Sequence, residues 1–195
     1  MKNILVLLLA LFGLISCNTA QNTGNAKVQT GENANGEVTE DAGSNGPFYS
    51  LTGEKLDPVN KTEAQWKAEL TAQAFNVLRE DGTERSFTSP LLDNKEEGVY
   101  TCGGCSLPLF TSDTKFKSGT GWPSFYQPIN NTHVGEETDS RYGMRRVEVL
   151  CNRCGGHLGH VFDDGPKPTG LRYCINGVSL NFEPIKLADV KVAKP

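Results

Sequence analysis

Basic runs are absent from this 195-residue chain, in which 19 lysines and arginines stand against 23 acidic residues for a formal charge of −4. A nucleic-acid ligand needs clustered cations against its phosphates, and the short group Arg141, Arg145 and Arg146 does not supply them. Long apolar runs are equally scarce. The run from Ile4 to Ile15 is too short to span a bilayer as a helix. No internal repeat occurs, which excludes a solenoid. Helical periodicity fades after about residue 80, and histidine is rare, with three in all.

What is present begins with an address. Met1-Lys2-Asn3 gives a positive start, the apolar run follows, and Leu14-Ile15-Ser16-Cys17 closes it in the manner of a lipobox. We expect a lipoprotein signal peptide over residues 1–16, a lipidated Cys17 and a flexible tether through residue 58. The chain would then be exported and held at a bacterial cell envelope, on its periplasmic or outer-membrane face, by a lipid anchor alone. An ordinary signal peptide with an incidental Cys17 gives export without the anchor. Residues 18–46 are rich in Asn, Gly, Thr and Glu and nearly devoid of large apolar side chains, so they cannot bury enough surface to offset their ordering entropy.

A folded domain is expected over residues 59–190. Thr62-Glu63-Ala64-Gln65 has the pattern of a capping box, with Trp66 and Leu70 on one face of the helix it opens. That helix runs to about Thr71, and a second short one follows near Ala72 to Asn76. Beyond them, pieces such as Gly98-Val99-Tyr100-Thr101 and Arg146-Val147-Glu148-Val149-Leu150 alternate with Gly, Pro, Asn and Asp clusters, as short strands and turns do. The class is mainly β with one or two N-terminal helices.

Six cysteines occur. With Cys17 assigned to lipid, five remain, and they divide into two Cys-x-x-Cys pairs and one singleton. The pairs are Cys102 with Cys105 and Cys151 with Cys154. A two-residue spacer forms a tight knuckle with both thiolates aimed at one ion, and two knuckles complete a closed, structural four-thiolate zinc site. Three other readings are weaker. A thioredoxin-like redox pair lacks its βαβ context, haem attachment needs His where Gly155 stands, and Cys151, Cys154, His157 and His160 form a less regular local set.

The singleton is Cys174, in Gly170-Leu171-Arg172-Tyr173-Cys174-Ile175-Asn176. Read as a strand continuing through Leu180, this stretch puts Arg172, Cys174 and Asn176 on one polar face and Leu171, Tyr173 and Ile175 on an apolar one. Such a polar setting suits a reactive cysteine, and Arg172 would favour its thiolate. His157 and His160, three apart in a Gly-rich loop after the second knuckle, can manage a proton. In Ser118-Gly119-Thr120-Gly121-Trp122-Pro123-Ser124-Phe125, the glycines and the proline hold Trp122 in a rigid turn; a lone tryptophan is more often core, but one displayed by such a turn could instead offer its indole face to a small apolar or sulfonium-like group.

With these residues assembled, the domain resembles a B-type methionine sulfoxide reductase. The likeness rests on GTERSF, GVYTCGGCSLPLF, KFKSGTGWPSF, the long stretch CNRCGGHLGHVFDDGPKPTGLRYCINGVSLNF and the AQWKAEL helix, in order over residues 60–185. It implies a fold of two rolled antiparallel sheets, zinc on Cys102, Cys105, Cys151 and Cys154, and specificity for the R-epimer of methionine sulfoxide, free or in proteins. It further implies Cys174 as nucleophile, Trp122 and Phe125 at the substrate, and His157, His160, Arg172 and Asn176 around its polar side. The partner would be a thioredoxin-like or other external thiol reductant. Two positions depart from the family pattern. Thr120 stands where many members carry a resolving cysteine, and Gly177 stands where serine is common, which would loosen the strand. A zinc-stapled binding module without chemistry, or a disulfide-linked scaffold, are the readings from other classes.

Overall fold

The computed structural model describes residues 46–192, so the expected leader, Cys17 and most of the tether lie outside the described residues. The chain runs β1 (Phe48–Tyr49), β2 (Lys55–Leu56), α1 (Glu63–Glu69), α2 (Ala72–Glu80), β3 (Gly98–Cys102), β4 (Pro108–Thr111), β5 (Lys115–Phe116), β6 (Ser124–Phe125), β7 (Val134–Asp139), β8 (Arg146–Cys151), β9 (His157–Phe162), β10 (Arg172–Ile175) and β11 (Leu180–Pro184). The mainly β class with two short helices is as expected. Folded structure starts earlier than residue 59, however. Residues 48–56 form a hairpin, Phe48 is buried in the core, and the Tyr49 amide donates to His133 Nε2 at 3.2 Å. This hairpin was hidden in the sequence because it carries only one buried side chain.

The helices follow from local rules. Thr62 accepts from the Gln65 amide at 3.3 Å while Gln65 Oε1 receives the Thr62 amide at 2.8 Å, a complete capping box. Thr71 caps α2 by accepting from the Ala74 amide at 3.1 Å. The second helix runs a turn longer than expected because Phe75, Val77 and Leu78 are all buried.

All strand pairs are antiparallel. Six strands form one sheet in the order β5-β6-β10-β9-β8-β7, and three form another in the order β11-β3-β4. The two sheets meet through aromatic rings. Tyr100 and Phe110 of the smaller sheet contact Phe125 of the larger at centroid distances of 4.9 and 4.5 Å, and Phe110 reaches Tyr173 at 5.7 Å. Strand alternation then sends Ser124 and Cys174 to the opposite face of the six-stranded sheet.

Register carries that face across the sheet. Cys174 lies opposite Ser124 on β6 and His160 on β9, and His160 lies opposite Glu148 on β8. Between β8 and β9 the register shifts: Val149 faces Gly159, but Leu150 faces His157. The extra residue on β9 is a bulge, and it reverses side-chain parity. His157 and His160, three apart on a strand, therefore point to one face, with ring centroids 5.5 Å apart. The sequence reading placed this pair in a loop; it stands instead on a bulged strand.

Gly159 is required by a close approach. A Cβ there would lie 2.1 Å from the Cys174 carbonyl oxygen, and a backbone atom in a ladder cannot yield. Gly159→Ala should destabilise the fold by about 3 kcal/mol, read as a lower urea midpoint with an unchanged slope.

Candidate functional site

Each knuckle closes the end of a strand. Cys102 ends β3 and Cys151 ends β8, so the four cysteines join the two sheets. The first turn is fixed by Ser106 donating to the Cys102 carbonyl and the second by Gly155 donating to that of Cys151, both at 2.8 Å. The four Sγ atoms lie within 4.8 Å of one another, with Cys102–Cys154 at 3.7 Å and Cys105–Cys151 at 3.5 Å. A disulfide would need about 2.0 Å, whereas tetrahedral ligands at about 2.3 Å from one ion stand about 3.8 Å apart. The donor set and spacing thus fit a metal ion. Hydrogen bonds shared among the thiols pull Cys105 and Cys154 down and push Cys102 and Cys151 up, as expected where four buried sulfurs cannot all ionise without a cation.

Cys174 lies half-buried on β10. Its Sγ is 3.7 Å from Thr120 Oγ1, which continues through Ser118 Oγ at 2.9 Å to Ser124 Oγ at 2.8 Å. Burial pushes the Cys174 thiol above its ordinary value of 9.0, against opposing pulls from Thr120, Arg172 and Ser124. The expected activation by Arg172 is therefore real in sign but outweighed. Arg172 is itself engaged, donating to both Asp164 oxygens at 2.7 and 2.9 Å while its guanidinium covers the Phe162 ring at 4.3 Å.

The histidines are held by carboxylates that sequence reasoning did not single out. His157 Nδ1 bonds Glu148 Oε1, and His160 Nε2 bonds Asp139 Oδ2 at 3.0 Å. Ionised carboxylates only accept, so each of those ring nitrogens carries the hydrogen. His157 Nε2 is buried with no partner. Burial pushes His160 below the usual imidazole range, with Arg146 and His157 reinforcing and Asp139 opposing, so it is neutral near pH 7. Asp139 is held far below the carboxylate range by the Arg141 amide first, then by His160, Arg141 and Arg146 side chains.

Trp122 donates Nε1–H to the Glu84 carbonyl at 3.2 Å, and the following Pro123 carbonyl accepts from the Ile175 amide at 2.9 Å. Asn176 takes another role than expected. The strand ends at Ile175, and the buried Asn176 side chain donates to the Leu158 carbonyl at 3.0 Å and accepts from the Glu84 amide at 3.0 Å. The buried Glu84 carboxylate in turn accepts from the Gly177 and Val178 amides. Glu84 thus ties the Trp122 loop to the turn after Cys174, and no local pattern in the sequence signals it. Gly177 does not loosen a strand: it opens a 3-10 turn, and a Cβ there would fall 1.8 Å from Ser89 Oγ. Phe125, expected at the substrate, is fully buried and stacked on Phe110, on the sheet face away from Cys174.

A half-buried thiol flanked by hydroxyls, a bulged strand bearing two carboxylate-anchored histidines and a four-sulfur metal cage define a cysteine-based oxidoreductase domain. The family follows from comparison with known proteins. The SelR domain model matches residues 70–184. The chain is 56% identical over 125 residues to a peptide methionine sulfoxide reductase MsrB of Leptospira interrogans, covering 64% of this chain and 95% of that one. It is 60% identical over 125 residues to the MsrB of Methanosarcina barkeri, covering 64% and 88%, and 56% identical over 127 residues to that of Agrobacterium fabrum, covering 65% and 94%. The chain belongs to the MsrB family of peptide methionine sulfoxide reductases.

The balance at Cys174 has a measurable consequence. Because burial raises the thiol, only a small thiolate fraction exists near neutrality, and alkylation by iodoacetamide should keep accelerating up to and beyond about pH 9. Arg172→Ala removes a lowering influence, so the rate at about pH 8 should fall several-fold. An unchanged rate would mean that Arg172 does not act on the sulfur.

Proposed function

We propose that the chain reduces the R-epimer of methionine sulfoxide, free or in proteins, with Cys174 as nucleophile and an external thiol as reductant. The observation that carries this reading is the row Ser124–Cys174–His160–Glu148, which sets a thiol beside hydroxyls on one flank and histidines on the other. Family membership supplies the reaction class, and the row supplies the candidates for each step.

In this scheme the Cys174 thiolate attacks the sulfoxide sulfur. The sulfur–oxygen bond of the substrate breaks, methionine departs reduced, and the oxygen with one proton ends on Cys174 as a sulfenic acid. The proton comes from a histidine. His160 stands opposite Cys174 in the ladder, and His157 stands beside it with ring centroids 5.5 Å apart, its Nδ1 bonded to Glu148 and its Nε2 buried without a partner. Trp122 walls the methyl group and meets the sulfonium-like charge that develops as the oxygen is protonated. Arg172 lowers the thiol, while Asn176 positions the loop that carries Trp122.

The family's metal is zinc, held by Cys102, Cys105, Cys151 and Cys154, and its part here is to fix the two knuckles. The reductant is external because Thr120 occupies the place beside Cys174 where many members carry a resolving cysteine. Two equivalents of an outside thiol return Cys174 to the thiol, releasing water and a disulfide. Thioredoxin-like proteins have that chemistry. Export and lipid anchoring through Cys17 are proposed from the leader alone.

The purified chain should reduce R-methionine sulfoxide with dithiothreitol and leave the S-epimer untouched, read as methionine by chiral chromatography. Cys174→Ser should abolish turnover, at least 1,000-fold by the order of nucleophile deletions. Activity retained in that variant would overturn the assignment.

A further inference from the structure

Phe87 is 68% exposed, the most exposed large hydrophobic side chain among the described residues. Its backbone is left-handed, at φ 63°. A bulky residue rarely adopts that conformation, which costs on the order of 1–3 kcal/mol and persists only where surrounding structure imposes it. The imposing contacts are plain. The Phe87 amide donates to the Gly121 carbonyl at 2.8 Å, and a Cβ at Gly121 would lie 2.8 Å from the Phe87 ring. The ring therefore rests on the residue preceding Trp122, facing solvent. Strain and exposure together are unexplained by folding, since neither buries apolar surface.

The ring forms one wall of a cavity of about 480 Å³ that continues to Phe116 and Trp122. Its charges are mostly positive, from Lys95, Lys115 and Lys117 with Asp93 as the single anion. Lys115 donates to the Leu92 and Asn94 carbonyls at 2.7 and 3.0 Å and pins the far rim. Lys95 and Lys117 are exposed. The thiol lies two contacts from this lining: Ser118 bonds Thr120 at 2.9 Å, and Thr120 Oγ1 stands 3.7 Å from Cys174 Sγ.

We infer that this groove is a subsite for the polypeptide flanking the oxidised methionine, with Phe87 receiving an apolar neighbour and Lys95 and Lys117 favouring acidic residues beyond it. The inference rests on the reductase reading and extends it to substrate choice. Its basis is a lining shared with Trp122 and with Ser118, which bonds Thr120 beside the thiol, the excess of cations, and an aromatic ring held out to solvent at the expense of backbone strain. A free amino acid fills only the pocket at Trp122, whereas a peptide reaches along the groove.

Three substrates separate the contributions: N-acetyl-methionine R-sulfoxide, a pentapeptide with the sulfoxide between leucines and aspartate at each end, and its counterpart with serine and lysine instead. The full chain should favour the acidic, apolar pentapeptide over the basic one by about tenfold in kcat/KM, expressed in KM. Phe87→Asn suits a left-handed backbone while deleting the ring. It should raise KM for the leucine pentapeptide about tenfold and that for the acetylated amino acid less than twofold. Lys95→Glu with Lys117→Glu should invert the preference between pentapeptides, and salt should weaken the wild-type preference. Calorimetric titration of the Cys174→Ser chain with each pentapeptide gives the same ranking without turnover, so a chain that failed to reduce any substrate would refute the reductase reading while binding still decided the subsite. Equal losses on all substrates in Phe87→Asn, or no change in peptide KM and affinity, would overturn the inference.

Discussion

The structure depends on four sulfur atoms. Cys102 ends a strand of the small sheet and Cys151 one of the large sheet, and each knuckle presents its second cysteine three residues on. A metal ion held there ties together segments whose cysteines stand 46 and 52 residues apart, and a chain with two short helices and many loops has few other ways to fix them. The second knuckle leads directly into β9, whose bulge turns both histidines to the thiol's face. The cage thus stands far from the chemistry in role, yet it sets where the histidine strand begins.

On that frame the reactive face is a compromise between burial and charge. Burial raises Cys174, and Arg172, Thr120 and Ser124 pull the other way without prevailing. Such a thiol is largely protonated near neutrality, which slows its reaction with stray oxidants. The histidines are handled in the same manner. Each gives one nitrogen to a carboxylate, so its ring orientation and hydrogen placement are set before substrate binds.

Much of this was legible in the sequence, for identifiable reasons. The paired cysteines, the capping box at Thr62 and the alternation from Arg172 to Ile175 are local patterns with a mechanical meaning, and all appear in the structure; the alternation stops short of Asn176, where the strand has ended. Family resemblance supplied the reaction and the substrate class, which spacing alone does not. What could not be read depends on register. The bulge at His157, the carboxylates of Glu148 and Asp139, and the bonds of Glu84 to Asn176, Trp122 and the turn after Cys174 arise from strands brought together over long stretches of chain. Phe125 was misplaced for the same reason: strand parity beside Cys174 sends it to the core. Phe87 gave no signal either, because exposure and a left-handed backbone are invisible in a residue's identity.

The central claim is that oxidised Cys174 has no cysteine among the described residues to resolve it while the cage keeps its ion. The most direct measurement is the state of that residue after one turnover with R-methionine sulfoxide and no reductant, read by dimedone trapping and mass spectrometry beside the zinc content. The account predicts one dimedone adduct, on Cys174, with zinc fully retained. A disulfide between Cys174 and a cage cysteine, with release of zinc, would contradict it.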